Sequence, residues 1–277
     1  MFMRQISASV IAAGVFTAMP AWSQDADQLD RLYGALQFDQ IVSIIRQEGL
    51  TYGAQIGEDM FPTRAGDSWT QTVSAIYDED AMQAQVRRAF DASLAGDDVD
   101  AMLAFIESDL GQRSVTLEVS ARRAMLDKTV EDAANEAAKL AAADNTDRYQ
   151  QLKEFIDVNG LIESNVSGGL NTNFAFYSGL MAGGAFEDML TEQQILSDVY
   201  DQEPQIRDST TQWITSFLLL AYDPLSDDDI AQYTAFSQTQ AGRDLNTTLF
   251  ASFDGVFEGI SFALGREAAM FMTTQDL

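Results

Sequence analysis

Apolar residues recur along this chain at steps of three and four, and seldom at steps of two. Val99, Met102, Ile106 and Leu110 keep that spacing, as do Leu249, Phe253, Val256, Phe257 and Ile260. Such a stripe lines one face of a helix with 3.6 residues per turn. The alternation that a half-buried strand needs is nearly absent. Only four prolines occur in 277 residues, so little interrupts long helices. The stretch "VEDAANEAAKLAAA" is rich in alanine, the strongest helix former. Pro62, Pro204 and Pro224 mark helix starts or ends, and "SGG" at 167–169 marks a weak point in a helical run. The pattern predicts an all-α protein.

The pattern also repeats. "DDVDAMLAFIESDLGQR" at 97–113 returns as "DDIAQYTAFSQTQAGRD" at 228–244, which aligns Asp97 and Asp98 with Asp228 and Asp229 and Phe105 with Phe236. Earlier in each half, "IYDED" at 76–80 mirrors "VYDQE" at 199–203, and "LDRLYGALQF" at 29–38 mirrors "TDRYQQLKEF" at 146–155. The chain reads as a tandem duplication of a helical-bundle unit, with unit 1 at 24–144 and unit 2 at 145–277. Each unit is expected to hold about five to six helices and to end in a long one, near 109–143 and 240–272. Small residues at four-residue spacing, Gly53 and Gly57 in the first half and Ala175, Gly179 and Gly183 in the second, let two backbones approach. They fit either a tight crossing inside the fold or a groove or dimer seam.

The repeated motif has the form F-x-x-[ST]-x-x-G: Phe105, Ser108 and Gly111, then Phe236, Thr239 and Gly242. A Ser or Thr at a helix start accepts from the free amides of the first turn and contributes about 1 kcal/mol. The glycine three residues on lets the preceding helix fold back closely, with the phenylalanine plugging the corner. A nucleophilic role needs a neighbouring base. The chain has no histidine, and its lysines are limited to Lys128, Lys139 and Lys153, so the motif is read as structural. With Gln or Arg after the glycine, it resembles the helix corner of the bacterial family called domain of unknown function 2059. The resemblance is strongest over 228–270 and fainter in the equivalent part of the first half. It implies an export signal and an all-helical body, and it brings no catalytic residues. Asp109 and Gln240 stand where the family pattern has proline, a departure that a first helical turn accommodates.

The first residues add a destination. One basic residue, Arg4, precedes an apolar run from Ile6 to Met19, and the small residues Ala21 and Ser23 then precede Gln24. This is the layout of a secretory signal peptide over 1–23, cleaved near Ser23–Gln24, and it places the mature chain in the periplasm or outside the cell. The run is shorter than the roughly 20 apolar residues of a membrane-spanning anchor, and "WITSFLLLAY" at 213–222 is shorter still. No transmembrane anchor is expected after cleavage. With no cysteine in the chain, no lipid attachment or disulfide is expected, and stability must come from a packed core. Loss of Arg4 moves the formal charge from −27 to −28. A surface so acidic repels DNA, RNA and anionic lipid, because phosphate contacts require cations. The excess acid reads as a solubility device.

Candidate chemistry is sparse. Without Cys or His, zinc, copper, haem and iron–sulfur centres lack their usual ligands, and no cofactor is expected. "YDEDA" at 77–81 and "SDDDI" at 226–230 offer carboxylates to calcium, yet neither fits its common loop. Acids that complement a helix N-terminus are the better account. Seven of the basic residues fall between 87 and 139. They could form a patch for an anionic ligand or acidic partner, or pair locally, Arg122 and Arg123 with Glu118 and Asp127. Arg113 and Arg243, just after each motif glycine, are candidates for contact with an anion or partner, against a salt bridge across the corner.

Two functional readings follow. The first is a non-enzymatic module that contacts other envelope proteins through a groove between its halves. The second is a carrier of an apolar small molecule or lipid, because "LNTNFAFYSGLM" at 170–181 and "LFASFDGVFEGISFAL" at 249–264 are dense in aromatics. A cavity of several hundred cubic ångströms lined by those phenylalanines speaks for the carrier. A filled core with an exposed apolar patch speaks for the module.

Overall fold

The computed structural model describes residues 21–63, 66–94, 99–185 and 191–273. Most of the predicted signal segment and the Asp97–Asp98 pair lie outside these residues, and the expected cleavage point falls in the first turn of α1. Among the described residues the protein is all-helical, without strands. The first half runs α1 (Ala21–Ala35), α2 (Phe38–Met60), α3 (Asp67–Ile76), α4 (Glu79–Ser93), α5 (Asp100–Ile106), α6 (Asp109–Ala124) and α7 (Lys128–Asp144). The second runs α8 (Asp147–Val158), α9 (Leu161–Ala182), α10 (Glu192–Tyr200), α11 (Glu203–Tyr222), α12 (Asp227–Ser237) and α13 (Gln240–Thr273).

The joints of the two halves use the same devices. Gln37, between α1 and α2, and Gly160, between α8 and α9, both take the left-handed conformation, with φ of 55° and 58°. The α3–α4 joint follows Tyr77 and the α10–α11 joint follows Tyr200. Asn145, with φ of 51°, caps α7 at the boundary between the halves. Pro204 stands in the first turn of α11, where its missing N–H costs no hydrogen bond, while Pro62 and Pro224 follow the ends of α2 and α11.

Two helix boundaries differ from the sequence expectation. The long helix expected over 109–143 is broken: α6 stops at Ala124, and the Asp127 carboxylate restarts the chain as α7 by accepting from the Thr129 N–H at 2.8 Å. Its counterpart α13 is unbroken over 34 residues. Conversely, α9 runs straight through "SGG" at 167–169. Two interior glycines cost about 1 kcal/mol each, and packing of α9 along α13 and against α11 outweighs that.

The halves interlock. One core gathers Leu32, Phe38, Trp69, Phe90 and Met102 from the first half with Leu245, Val256, Leu264 and Ala268 from α13. The other gathers Leu152, Phe155, Leu218, Tyr222 and Ile230 from the second half with Ala121 from α6. Each half therefore lends its C-terminal helices to the other: α13 lies along α4, and α6 and α7 lie along α11. Small residues set the closest crossings. A Cβ on Gly179 would sit 2.1 Å from the Phe262 carbonyl oxygen, and one on Gly265 would sit 2.1 Å from that of Phe176, so α9 and α13 touch backbone to backbone. In the first half Gly53 faces Val73, and its carbonyl accepts from the Trp69 indole N–H at 2.7 Å.

Candidate functional site

Where the halves meet, the helices leave a cleft of about 460 Å³ between α2, α6, α9 and α13. Its apolar wall comes from Phe38, Ile41 and Ile45 of α2 and from Leu249, Phe250, Phe253 and Phe257 of α13. These positions fall on one stripe of each helix, i, i+3 or i+4, as the apolar spacing requires. On α9 the facing residues beyond Leu161 are small or polar: Ser164, Asn165, Gly168, Gly169 and Thr172. A Cβ on Gly168 would find only the Asp254 carboxylate within 4 Å, at 3.8 Å, so this face of α9 opens onto the cleft. Asn165 and Asp254 are exposed, and the cleft reaches solvent on that side.

Its charged residues are Glu118 and Arg122 on α6 and Asp254 and Glu258 on α13. Arg122 is committed to Glu48, which accepts from Nε at 3.1 Å and from Nη2 at 2.8 Å, and its guanidinium lies 5.9 Å from the Trp213 ring centroid. Asp254 and Glu258 stand four residues apart on α13, as like-charged neighbours on one helix face. Loss of hydration, and then the Glu258 charge, hold the Asp254 carboxyl above the usual carboxylate range.

Glu118 closes the inner end. With Leu161, Asn246 and Leu249 it also lines a neighbouring chamber of about 170 Å³ walled by Phe155, Tyr222, Tyr233, Phe236 and Leu245. The Tyr222 hydroxyl donates to Glu118 Oε1 at 2.5 Å, and the Tyr233 hydroxyl belongs to the same hydrogen-bonded group. Burial dominates its titration: it pushes the Glu118 carboxyl up to about 7, although both tyrosine hydrogen bonds pull the other way. Burial first, and then the Glu118 charge, push both phenols well above their ordinary range. The arrangement is a carboxyl that can hold or release its proton near neutral pH at the end of an apolar cleft.

The repeated motif lies next to this chamber. The Ser108 hydroxyl accepts from the Gly111 N–H at 3.1 Å and donates to the Phe105 carbonyl at 2.6 Å. Thr239 accepts from the Gly242 N–H at 3.0 Å and donates to the Phe236 carbonyl at 2.7 Å. A Cβ on Gly111 or Gly242 would fall 2.1 or 2.2 Å from that same phenylalanine carbonyl. The phenylalanines do more than fill their own corners: Phe105 and Phe236 stack on each other, centroids 3.9 Å apart and planes within 4°, and so join the two corners.

The two arginines after the motif part company. Arg113 reaches across to the other half and pairs with Asp229 at 2.7 Å. Asp229 is also part of the Ser226 capping box, and hydrogen bonds from the Ser226 backbone and hydroxyl, then Arg113, hold its carboxyl below the usual range. Arg243 folds back on its own corner, donating to the Gln238 carbonyl and, at 2.9 Å, to Gln240 Oε1. Arg123 donates to Gln40 Oε1 at 3.2 Å. Neither Arg122 nor Arg123 thus takes the partner expected from helical spacing. Of the calcium candidates, Asp78 caps α4 by accepting from the Ala81 N–H at 2.8 Å. Among the described residues no group of three His, Cys, Asp or Glu side chains gathers for a metal ion, and no helix is long and apolar enough to cross a membrane.

Residues 80–139 match domain of unknown function 2059, a family of uncharacterised proteins conserved in bacteria. The matched stretch runs from α4 into α7 and carries Phe105, Ser108 and Gly111. The resemblance drawn from the sequence placed the family chiefly at 228–270, whereas the domain of unknown function 2059 match lies on the corner of the first half. No curated protein and no solved structure matches the chain.

The sequence reading missed Glu118, Asp254 and Glu258. Glu118 carried one usable signal, an acid three residues from Val115 and from Ala121 on the buried face of α6. Asp254 and Glu258 carried none, being two acids among 43.

Proposed function

We propose that this is an exported, non-enzymatic binding protein that carries an apolar small molecule or lipid chain in the cleft between its halves. The observation that carries the reading is the cleft itself: about 460 Å³, walled by phenylalanines, the size and character of a small-molecule site. The aromatic stretch at 249–264 supplies three of those phenylalanines, Phe250, Phe253 and Phe257. On this reading the chain is a tandem duplication with the site at the seam between its copies. Support for this comes from the matched left-handed joints at Gln37 and Gly160 and from the stacked pair of corners. Export to the periplasm or beyond rests on the signal-like opening.

A cleft-filling variant tests the reading. Gly168→Leu places a side chain in the cleft while improving local helix propensity by roughly 1 kcal/mol, so loss of binding cannot be blamed on loss of the helix. With a neutral dye that fluoresces in apolar surroundings, the parent should show saturable one-to-one binding, and Gly168→Leu should weaken it at least about tenfold, a difference near 1.4 kcal/mol. Equal binding by the two proteins would refute the site.

The competing reading, contact with other envelope proteins, draws support from a groove of about 700 Å³ between α7 and α11, lined by Val130, Ala133 and Ala137 on one side and Leu219 and Leu220 on the other. A photo-crosslinker placed at Leu220 and capturing one defined envelope protein would favour it.

A further inference from the structure

The cleft that the proposed function relies on has an apolar wall along α13 and α2 and carries three acids, Glu118, Asp254 and Glu258. Phe250, Phe253 and Phe257 run along α13 between Asn246, beside Glu118, and Glu258. Twelve residues of helix at 1.5 Å each make this about 18 Å. Glu118 stands at one end and Glu258 at the other, with Asp254 one turn before Glu258, on the rim facing Gly168. Among the described residues the cation lining the cleft is Arg122, whose Nε and Nη2 are both engaged by Glu48. The ion pairs recorded among the described residues leave Asp254 and Glu258 without a cation. Like charges four apart on a helix disfavour each other, and a bound cation would relieve that repulsion. The phenylalanine rings that line the cleft can add a second attraction, since the face of an aromatic ring favours positive charge. A chain of formal charge −27 also steers cations toward itself and anions away.

We propose that the cleft selects amphiphilic cations: an alkyl or aryl body lies against Phe253 and Phe257, and a positively charged amine or quaternary ammonium group is held by Asp254 and Glu258. The proposal rests on the cleft being a binding site for apolar molecules and adds the sign of the ligand's charge.

Three probes with the same ten-carbon tail separate the possibilities: decyltrimethylammonium, decyl maltoside and decyl sulfate, each titrated calorimetrically into the full-length protein below its micelle concentration. The cation should bind at least about tenfold more tightly than the neutral probe at low salt. The advantage should shrink at high salt as screening grows, and the anion should bind weakest. The double variant Asp254→Asn/Glu258→Gln should bring the cation's affinity down to that of the neutral probe. Gly168→Leu should remove the cation's binding, which separates the cleft from loose attraction to an acidic surface. Equal affinity for cation and neutral probe, or a preference that survives the double variant, would overturn the charge assignment and leave the apolar site standing. Cation binding that persists in Gly168→Leu would overturn it as well. Failure of all three probes would sink both the charge assignment and the cleft as a site.

Discussion

Replacing Gly242 by alanine tests whether the repeated glycine exists for close packing at the corner. The new Cβ would lie 2.2 Å from the Phe236 carbonyl oxygen and 2.7 Å from the Ser237 Cα. Both obstacles are backbone, so no side chain can swing aside, and α12 must move off α13 by about 1 Å. Overpacking of this kind costs about 1–3 kcal/mol, and a rigid obstacle places it at the upper end. The same movement strains the Thr239 cap, worth about 1 kcal/mol. It also disturbs the stacked Phe105–Phe236 pair, worth about 0.5–1.5 kcal/mol beyond its buried area. Against this, alanine gains about 1 kcal/mol over glycine in a helix. With the cap and the stack strained but largely kept, the net is a loss of about 2–3 kcal/mol, or about 6 °C in Tm for a chain of this size. Gly168→Ala supplies the control: its Cβ meets only Asp254 Oδ1 at 3.8 Å, and stability should rise by about 0.4–1 kcal/mol. Urea unfolding followed by circular dichroism should show the midpoint falling for the first variant and rising for the second, at unchanged slope. If Gly242→Ala unfolds at or above the parent midpoint, close packing at the corner is refuted.

Two further outcomes follow from the same geometry. Because burial holds Glu118 up to about 7 in the folded protein, against 4.5 ordinarily, the folded state keeps a proton that the unfolded chain releases. Stability should therefore fall as pH rises from about 4.5 to 7 and level off above that, by a difference on the order of 3 kcal/mol. Glu118→Gln should flatten that part of the profile in urea titrations across the range, and an unchanged slope would mean that Glu118 is not the group. Ser108→Ala and Thr239→Ala each remove one cap and should each cost about 1 kcal/mol by the same assay; two neutral substitutions would show that the caps carry no stability.

How much of this could be read from the sequence differed from level to level. Helical class followed from the three- and four-residue spacing, because a buried stripe demands it whatever the tertiary partner. The F-x-x-[ST]-x-x-G corner was legible because capping and close approach are local: Ser108, Gly111 and the Phe105 carbonyl are all within six residues of one another. The break after Ala124 was not, since Asp127 caps α7 with no Pro or Gly to announce it. The continuity of α9 through Gly168 and Gly169 was not either, because packing on α13, far along the chain, overrides a local weakness. The site fared worst. Nothing local distinguishes Asp254 or Glu258 from any other acid, and only the lending of helices between halves brings α6 and α13 to the same cleft.

That lending also explains why the cleft lies where it does. Around Gly179 and Gly265, α9 and α13 touch through their backbones. Three helical turns back along α9, the Cβ direction of Gly168 meets only the tip of the Asp254 side chain. The two helices therefore converge at one end and stand a side chain apart at the other. Into the open end of that wedge the first half inserts α2 and α6, with Phe38, Ile41 and Ile45 on one and Glu118 on the other. Neither half alone has all four walls. A site built this way depends on the interlocked arrangement as a whole, and its charge comes from both halves: one acid from α6 and two from α13. Any change that lets α9 and α13 separate near Gly179 must alter the cleft's width near Gly168, so stability at the glycine crossing and affinity in the cleft are physically coupled.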